Sequence, residues 1–307
     1  MKKKTKSLLT LLMVTAVIMS SNVMAFATGP EMIETESRRF IRYDIDTQEE
    51  TIIDLGLPTF GVNDVYVTQG YAGQNTTSTH EIIGDDDDRD RVYSVTSSPY
   101  HAIVYIETYY DNNTSEQGTG FMIAPDVLLT AAHCVKSSTG GVIEEIRVYA
   151  GKNGNSYSAR TTADLIYTDV NYSGAGDWND DYSYVTLNSP IGNTCGWLGL
   201  YATSNSSNLL DLDITTAGYP HDMTTGDWDG LMYVSEGTIT SVNTKRIYHS
   251  ADTWEGQSGS PIYYLDSDGD HVAVAIHVGT NDTYNIGKRI TMSLMELLEE
   301  EGFIDPV

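Results

Sequence analysis

Thr253-Trp254-Glu255-Gly256-Gln257-Ser258-Gly259-Ser260-Pro261 is the stretch from which the fold is read. A serine hydroxyl is a weak nucleophile at neutral pH. It needs a base beside it and donors for the oxyanion that its attack creates. Gly256 and Gly259 flank Ser258; small residues there admit a substrate carbonyl and leave backbone N–H groups free to point at it. Taken alone, the stretch is equally an ordinary polar loop, because Gly and Ser are common in turns. The two readings separate on whether a base and a carboxylate stand elsewhere in the chain.

Leu129-Thr130-Ala131-Ala132-His133-Cys134 supplies a candidate base. The small residues before His133 let its ring turn into a cleft, although a histidine after an apolar strand is also a common structural residue. Asp181-Tyr182-Ser183-Tyr184-Val185-Thr186-Leu187 supplies the carboxylate. An aspartate at the mouth of a strand can orient an imidazole through its ring N–H. Asp177 and Asp180 compete with Asp181 for that role.

The chain around these segments is β-rich from Val92 onward. Residues 101–110, 120–124, 127–130 and 146–150 are rich in β-branched, aromatic and other apolar residues and are separated by turns. Residues 213–218, 231–235, 237–241, 247–249, 261–265 and 271–276 repeat the habit. Many short strands at regular spacing predict an all-β barrel or sandwich. Residues 205–208 break the pattern near the middle and mark a connection between two barrels. Near the end, Ile290, Met292, Leu294, Met295, Leu297 and Leu298 are compatible with one buried helix face, and Gly302 stops it. Asp266-Ser267-Asp268-Gly269-Asp270 reads as a hairpin turn. As a calcium loop it fails, with glycine fourth and His277 in the twelfth place.

The order His133…Asp181…Ser258 in a β-rich chain is that of the chymotrypsin-like arrangement of such a triad. The three segments together resemble a chymotrypsin-fold serine protease, and the chain is more narrowly similar to the secreted bacterial glutamyl endopeptidases. Ile82-Ile83-Gly84-Asp85 with Arg89-Asp90-Arg91-Val92, Gly192-Asn193-Thr194-Cys195-Gly196-Trp197, Ala217-Gly218-Tyr219-Pro220 and Ala275-Ile276-His277-Val278-Gly279 support this. The resemblance covers the chain from about residue 81 to the end. It implies two six-stranded antiparallel β-barrels with a C-terminal helix and a site in the cleft between them. It also implies that Ser258 is the nucleophile, His133 the general base and Asp181 its orienting acid, with the N–H groups of Gly256 and Ser258 as oxyanion hole. Two departures stand out. Digestive proteases carry an aspartate directly before the serine, where this chain has Gln257. Cys134 would ordinarily bridge to a cysteine about sixteen residues upstream, where Gly118 stands.

The resemblance further assigns Thr253 and His277 to the substrate pocket, where a hydroxyl and an imidazolium would bind a glutamate carboxylate. Asp252 stands against this. It lies six residues before Ser258, the spacing of the arginine-binding aspartate of trypsin-like enzymes, which implies cleavage after Lys or Arg instead. A third reading, from another class, is an inactive homologue that only binds partners.

The address is external. Lys2, Lys3, Lys4 and Lys6, an apolar run over residues 8–19 and Ala25-Phe26-Ala27 form a secretory signal over residues 1–27. The run is short for a membrane span. The 17 basic and 43 acidic residues give a net charge of −26; loss of the signal leaves 13 basic against 43 acidic, −30. No basic stripe offers itself to nucleic acid, and an anionic membrane would repel the chain. Residues 28–81 read as a pro-segment, acidic at its start and ending in a flexible Gly, Asn, Ser and Thr linker at residues 70–80, with an attached folded extension as the other reading. Residues 82–307 are the protease domain. The acidic run at residues 85–88 reads as a solvated turn. The expected protein is a secreted monomer acting on proteins or peptides, without cofactor, metal, nucleic acid or stable membrane association. Two cysteines, Cys134 and Cys195, are too few to say whether they pair.

Overall fold

Strands need alternating faces, and the β-branched and aromatic runs of this chain supply them. The computed structural model describes residues 38–56, 64–72, 87–136, 140–174, 176–222, 230–281 and 284–305. Ahead of the first barrel come β1 (Arg39–Asp44), β2 (Glu49–Asp54), β3 (Val65–Val67), β4 (Tyr71–Ala72) and β5 (Asp90–Arg91). The first barrel consists of β6 (Ile103–Tyr110), β7 (Ser115–Ala124), β8 (Val127–Thr130), β9 (Ile143–Ala150), β10 (Ala159–Asp169) and β11 (Ser183–Leu187). Its strands pair antiparallel in the order β6-β7-β8-β11-β10-β9, and β9 closes on β6. A connection through α1 (Gly192–Cys195), β12 (Gly196–Trp197) and β13 (Gly199–Thr203) leads to the second barrel. There β14 (Asp213–Gly218), β15 (Tyr233–Val242), β16 (Arg246–His249), β17 (Pro261–Leu265), β18 (His271–Thr280) and β19 (Asn285–Arg289) pair in the order β14-β15-β16-β19-β18-β17, and β17 closes on β14. Closure leaves no free sheet edge within either barrel. The expected pair of six-stranded barrels is what forms.

The C-terminal helix α2 (Met292–Glu300) starts two residues later than the apolar pattern. Thr291 caps it, its side chain accepting the Leu294 N–H, and Gly302 follows at φ +73°. Residues 266–270 form the expected turn between β17 and β18, where one Asp266 oxygen accepts the N–H groups of Asp268 and Asp270. A single turn at Ser206–Asn208 sits on the route between the barrels.

Part of the N-terminal segment lies within the described residues. Residues 38–56 and 64–72 are built into the sheets. β1 runs antiparallel to β10, with Phe40 opposite Asp169. The Phe40 ring is 1% exposed and lies edge-on to Tyr182 and Tyr184, at 6.2 and 6.4 Å between centroids. Arg38, also buried, pairs with Glu296 of α2. The expected linker is ordered at its start, where β4 pairs with β12. Glycine there serves close approach rather than flexibility: a Cβ on Gly70 would fall 2.8 Å from the Gly199 nitrogen, and one on Gly199 2.5 Å from the Thr68 carbonyl oxygen. Residues 73–86, which include Glu81 and Ile82, lie outside the described residues, as does the proposed signal. The part of the acidic run that is described is not merely solvated. Asp87 grips Arg89 through two hydrogen bonds to its side chain, at 2.9 and 2.7 Å.

Removing the Phe40 ring leaves a cavity behind the segment that carries Asp181. Phe40→Ala in the full chain, made with Ser258→Ala to prevent self-digestion, is expected to lose about 3 kcal/mol of stability by denaturant unfolding. A loss below about 1 kcal/mol would mean that the hairpin is not part of the cooperative structure.

Candidate functional site

β8 ends at Thr130, and Ala131 and Ala132, both fully buried, let the chain turn tightly into the single helical turn Ala132–Cys134. That turn carries His133. Its backbone N–H donates to one oxygen of Asp181 at 3.0 Å, and its Nδ1 lies 2.7 Å from the other. Asp181, 1% exposed, stands two residues before β11, which pairs with β8. Of the three competing aspartates only this one reaches the histidine. Asp177 accepts the N–H and hydroxyl of Ser173, and Asp180 pairs with Lys245 from the second barrel at 2.9 Å. Burial opposes protonation of His133, but the Cys134 sulfur and the Asp181 carboxylate outweigh it and hold the ring's pKa well above the ordinary 6.5.

Ser258 lies in the loop between β16 and β17 of the second barrel and is half-buried. The loop turns on Gly256 and Gly259, at φ +96° and +88°. Ser258 is brought against the histidine's barrel: its carbonyl accepts the Thr119 N–H of β7 at 2.8 Å and lies 3.4 Å from the Cys134 sulfur, one residue after His133. Gly118 faces that sulfur so closely that a Cβ there would sit 2.6 Å from it. Both cysteines are free and buried, so no bridge closes this loop.

β18 runs beside the serine loop, with the Gly259 N–H donating to the His277 carbonyl at 2.8 Å and the His277 N–H to the Ser260 carbonyl at 2.8 Å. The His277 ring is buried, and its Nδ1 has no hydrogen-bond partner among the described residues. Burial, and then the neighbouring His249 and His133, push the His277 pKa well below 6.5, so the ring is neutral in the empty site. His249, which the sequence reading missed, meets His277 edge-on at 5.8 Å. Burial pushes its pKa down to about 4. The only sequence signal for it was its place ending the apolar-alternating strand at residues 247–249. Thr253, four residues after His249, is half-buried. Asp252 is engaged elsewhere: its carboxylate accepts the Asp88 N–H at 2.9 Å. The next residue, Arg89, is buried between Asp87 and Asp222 under the ring of Trp254, 5.6 Å from its centroid.

Two closed barrels, one presenting a histidine–carboxylate pair and the other a Gly-x-Ser-Gly loop held against it, define a chymotrypsin-fold serine endopeptidase. Residues 118–274 match the trypsin-like peptidase domain. The chain is 38% identical over 218 residues to a Bacillus subtilis protein named extracellular metalloprotease, spanning 70% of this chain and 68% of that one. It is 34% identical over 229 residues to a glutamyl endopeptidase of Bacillus licheniformis, spanning 72% and 69%. Among solved structures it is similar to a Glu endopeptidase in complex with MPD, at 27% identity and a TM-score of 0.60 over 72% of this chain and 99% of that one. The chain belongs to the trypsin-like peptidase family. One relative's name points to a metal. Among the described residues no three His, Cys, Asp or Glu side chains are grouped to hold an ion, so they do not fit one.

The three histidines should titrate apart. In NMR titration of the Ser258→Ala chain, His133 is expected to titrate above 6.5 and to drop when Asp181→Asn removes the negative charge. His249 is expected near 4, and His277 also below 6.5. Three ordinary midpoints would contradict the burial and pairing described above.

Proposed function

We propose that the chain is a secreted serine endopeptidase that hydrolyses peptide bonds after Glu, and less well after Asp, through His133, Asp181 and Ser258. The observation that carries the reading is the double hydrogen bond between His133 and Asp181, 3.0 and 2.7 Å, on the barrel that faces the Ser258 loop. Ser258 Oγ attacks the scissile carbonyl while His133 Nε2 takes its proton. His133 then returns the proton to the leaving amine, and the peptide's acyl part stays on Ser258 as an ester. Water, deprotonated by the same ring, releases the acid. Asp181 holds the proton on Nδ1 and stabilises the imidazolium. The N–H groups of Gly256 and Ser258 receive the oxyanion. Ser258→Ala and His133→Ala are expected to lower kcat by roughly 10⁴ or more with the fold intact, and Asp181→Asn to be severe. Asp177→Asn and Asp180→Asn should be mild. A crippling Asp180→Asn would move the orienting role away from Asp181. Labelling by a fluorophosphonate in the wild type, absent in Ser258→Ala, separates this reading from an inactive binding homologue.

Thr253 and His277 are the proposed donors for the glutamate carboxylate, in keeping with the relatives named glutamyl endopeptidases. An arriving carboxylate favours protonation of His277 and turns a neutral donor into a charged one. The trypsin-like alternative needs Asp252 open to substrate, whereas its carboxylate is bonded to the Asp88 N–H. Peptides with Glu before the scissile bond are expected to be cut far better than those with Lys, and Asp to be poorer because its side chain is shorter. His277→Ala should lose the preference for Glu more than general activity. Preferred cleavage after Arg would hand the pocket to Asp252.

Export and maturation belong to the same reading. Residues 1–27 act as the signal and residues 28–81 as a pro-segment; no helix among the described residues is long and apolar enough to cross a membrane. Cutting after Glu81, which has the side chain the pocket is proposed to accept, would free the Ile82 amine. Gln257 offers that amine no carboxylate of the trypsin kind. N-terminal sequencing of secreted wild type, Ser258→Ala and Glu81→Gln tests this: both variants should retain the pro-segment. Normal processing in both would assign the cut to another protease.

A further inference from the structure

We propose that Thr119 is a positioning residue of the oxyanion loop, fixing from the opposite barrel the Gly256 and Ser258 carbonyls that alternate with the two peptide units carrying the proposed donor N–H groups. The proposal rests on the reading of those two groups as the oxyanion donors.

The carbonyl and N–H of one trans peptide unit point in opposite directions. Fixing a carbonyl therefore aims the next residue's N–H. Four successive carbonyls of the serine loop are fixed. Glu255 O accepts the His221 N–H at 2.8 Å, which turns the Gly256 N–H the other way. Gly256 O accepts the Thr119 hydroxyl at 2.9 Å. Gln257 O accepts the Ser260 N–H at 3.0 Å, which turns away the Ser258 N–H, and Ser258 O accepts the Thr119 N–H at 2.8 Å. His221 and Ser260 thus hold the two carbonyls that turn the Gly256 and Ser258 N–H groups, and Thr119 holds the two that alternate with them, one with its side chain and one with its backbone. Gly256 lies between the His221 bond and the Thr119 bond, so its φ of +96° is set from both sides.

Thr119 is itself fixed. It is fully buried in β7. A hydroxyl has one proton and two lone pairs; here the proton goes to Gly256 O while the oxygen accepts the Tyr219 N–H at 3.1 Å. The Thr119 carbonyl accepts the Thr130 hydroxyl at 2.7 Å. Thr130 ends β8, three residues before His133. One chain of bonds, Thr130 to Thr119 to Gly256, thereby registers the strand of the proposed base with the loop of the proposed oxyanion hole. The packing leaves no slack. A Cβ on Gly259 would fall 1.9 Å from the Thr119 carbonyl oxygen, and one on Gly218 would fall 2.9 Å from the Thr119 hydroxyl. Valine at position 119 would keep the shape and remove the proton, leaving the Gly256 carbonyl and the Tyr219 N–H without their partner.

The test compares Thr119→Val and Thr119→Ser with wild type, using the peptide anilide that wild type cuts best and the aldehyde of the same peptide. The aldehyde's serine adduct carries an oxyanion, so its affinity reports on the hole. Thr119→Val is expected to lower kcat by about 10- to 100-fold, with KM within about twofold and aldehyde affinity falling in parallel. Thr119→Ser, which keeps the hydroxyl, should stay within about threefold of wild type. Thr216→Val is the control: this fully buried hydroxyl has no partner among the described residues, and its loss should leave kcat unchanged. Wild-type kcat in Thr119→Val, a change in KM alone, an equal loss in Thr216→Val, or Thr119→Ser as slow as Thr119→Val would each overturn the proposal. If Thr119→Val does not fold, Thr119→Ala against Thr119→Ser reads the same hydroxyl. Ser258→Ala accompanies the set. Retained activity there would remove the underlying reading, whereas lost activity there with an unaffected Thr119→Val removes only the role of Thr119.

Discussion

A buried carboxylate must have both oxygens hydrogen-bonded or take up a proton. At Asp181 that requirement is met by a single partner residue, since one oxygen takes the His133 N–H and the other its Nδ1. The ring and the backbone that carries it are therefore fixed together, and Nε2 is left as the nitrogen available for other work. The surroundings of Asp181 serve this arrangement from several sides. Tyr182, the next residue, donates its hydroxyl to Asp169 at 3.2 Å, and Asp180, the residue before, is tied to Lys245 of the second barrel. Phe40 packs behind Tyr182. A residue placed by contacts with both barrels and the N-terminal hairpin can report the relative position of all three.

No disulfide ties the His133 turn to the rest of its barrel. The Cys134 sulfur meets glycine where a second cysteine would have to stand. Its place is taken by hydrogen bonds across the barrel interface, chiefly those that Thr119 makes to the serine loop. Such bonds bring modest net stability each but are costly to break once buried. They therefore specify geometry more strongly than they add stability, which is what a site divided between two barrels requires.

The sequence made the strands, the hairpin turn at residues 266–270 and the two catalytic-type motifs legible, because alternation and turn chemistry are local properties. Local spacing left Asp177 and Asp180 beside Asp181, since all three lie within five residues; the resemblance chose Asp181, and the fold brings its carboxylate 2.7 Å from His133 Nδ1. Residues 70–72, read as the start of a linker, pair at residues 71–72 with β12; glycine signals both flexibility and close approach, and here it meets Gly199, well over a hundred residues away. Spacing placed Asp252 where a basic-residue pocket would have its anion, and only the Asp88 N–H shows that carboxylate to be engaged. Thr119 carried no motif at all. Its role is visible only in which backbone carbonyls it meets.

Arg89 and His277 illustrate two ways of burying a basic side chain in a chain of net charge −26. Arg89 is charged at all times. To be buried it needs two carboxylates, Asp87 and Asp222, and with both in place it has little attraction left for a third. His277 is the opposite case. Empty, it is neutral, because burial and two neighbouring histidines disfavour its proton. On the proposed reading, the substrate carboxylate supplies the missing counter-charge and the proton follows it, so that charge and partner arrive together and no unpaired cation is ever buried. The overall negative field works against an acidic substrate at long range. On the same reading, the gain within the site comes from a hydrogen bond that becomes charge-assisted only when a carboxylate is present. A neutral side chain cannot draw that response from His277, and a basic one opposes it. Discrimination for an acid can thus rest on a group that carries no charge until the acid binds.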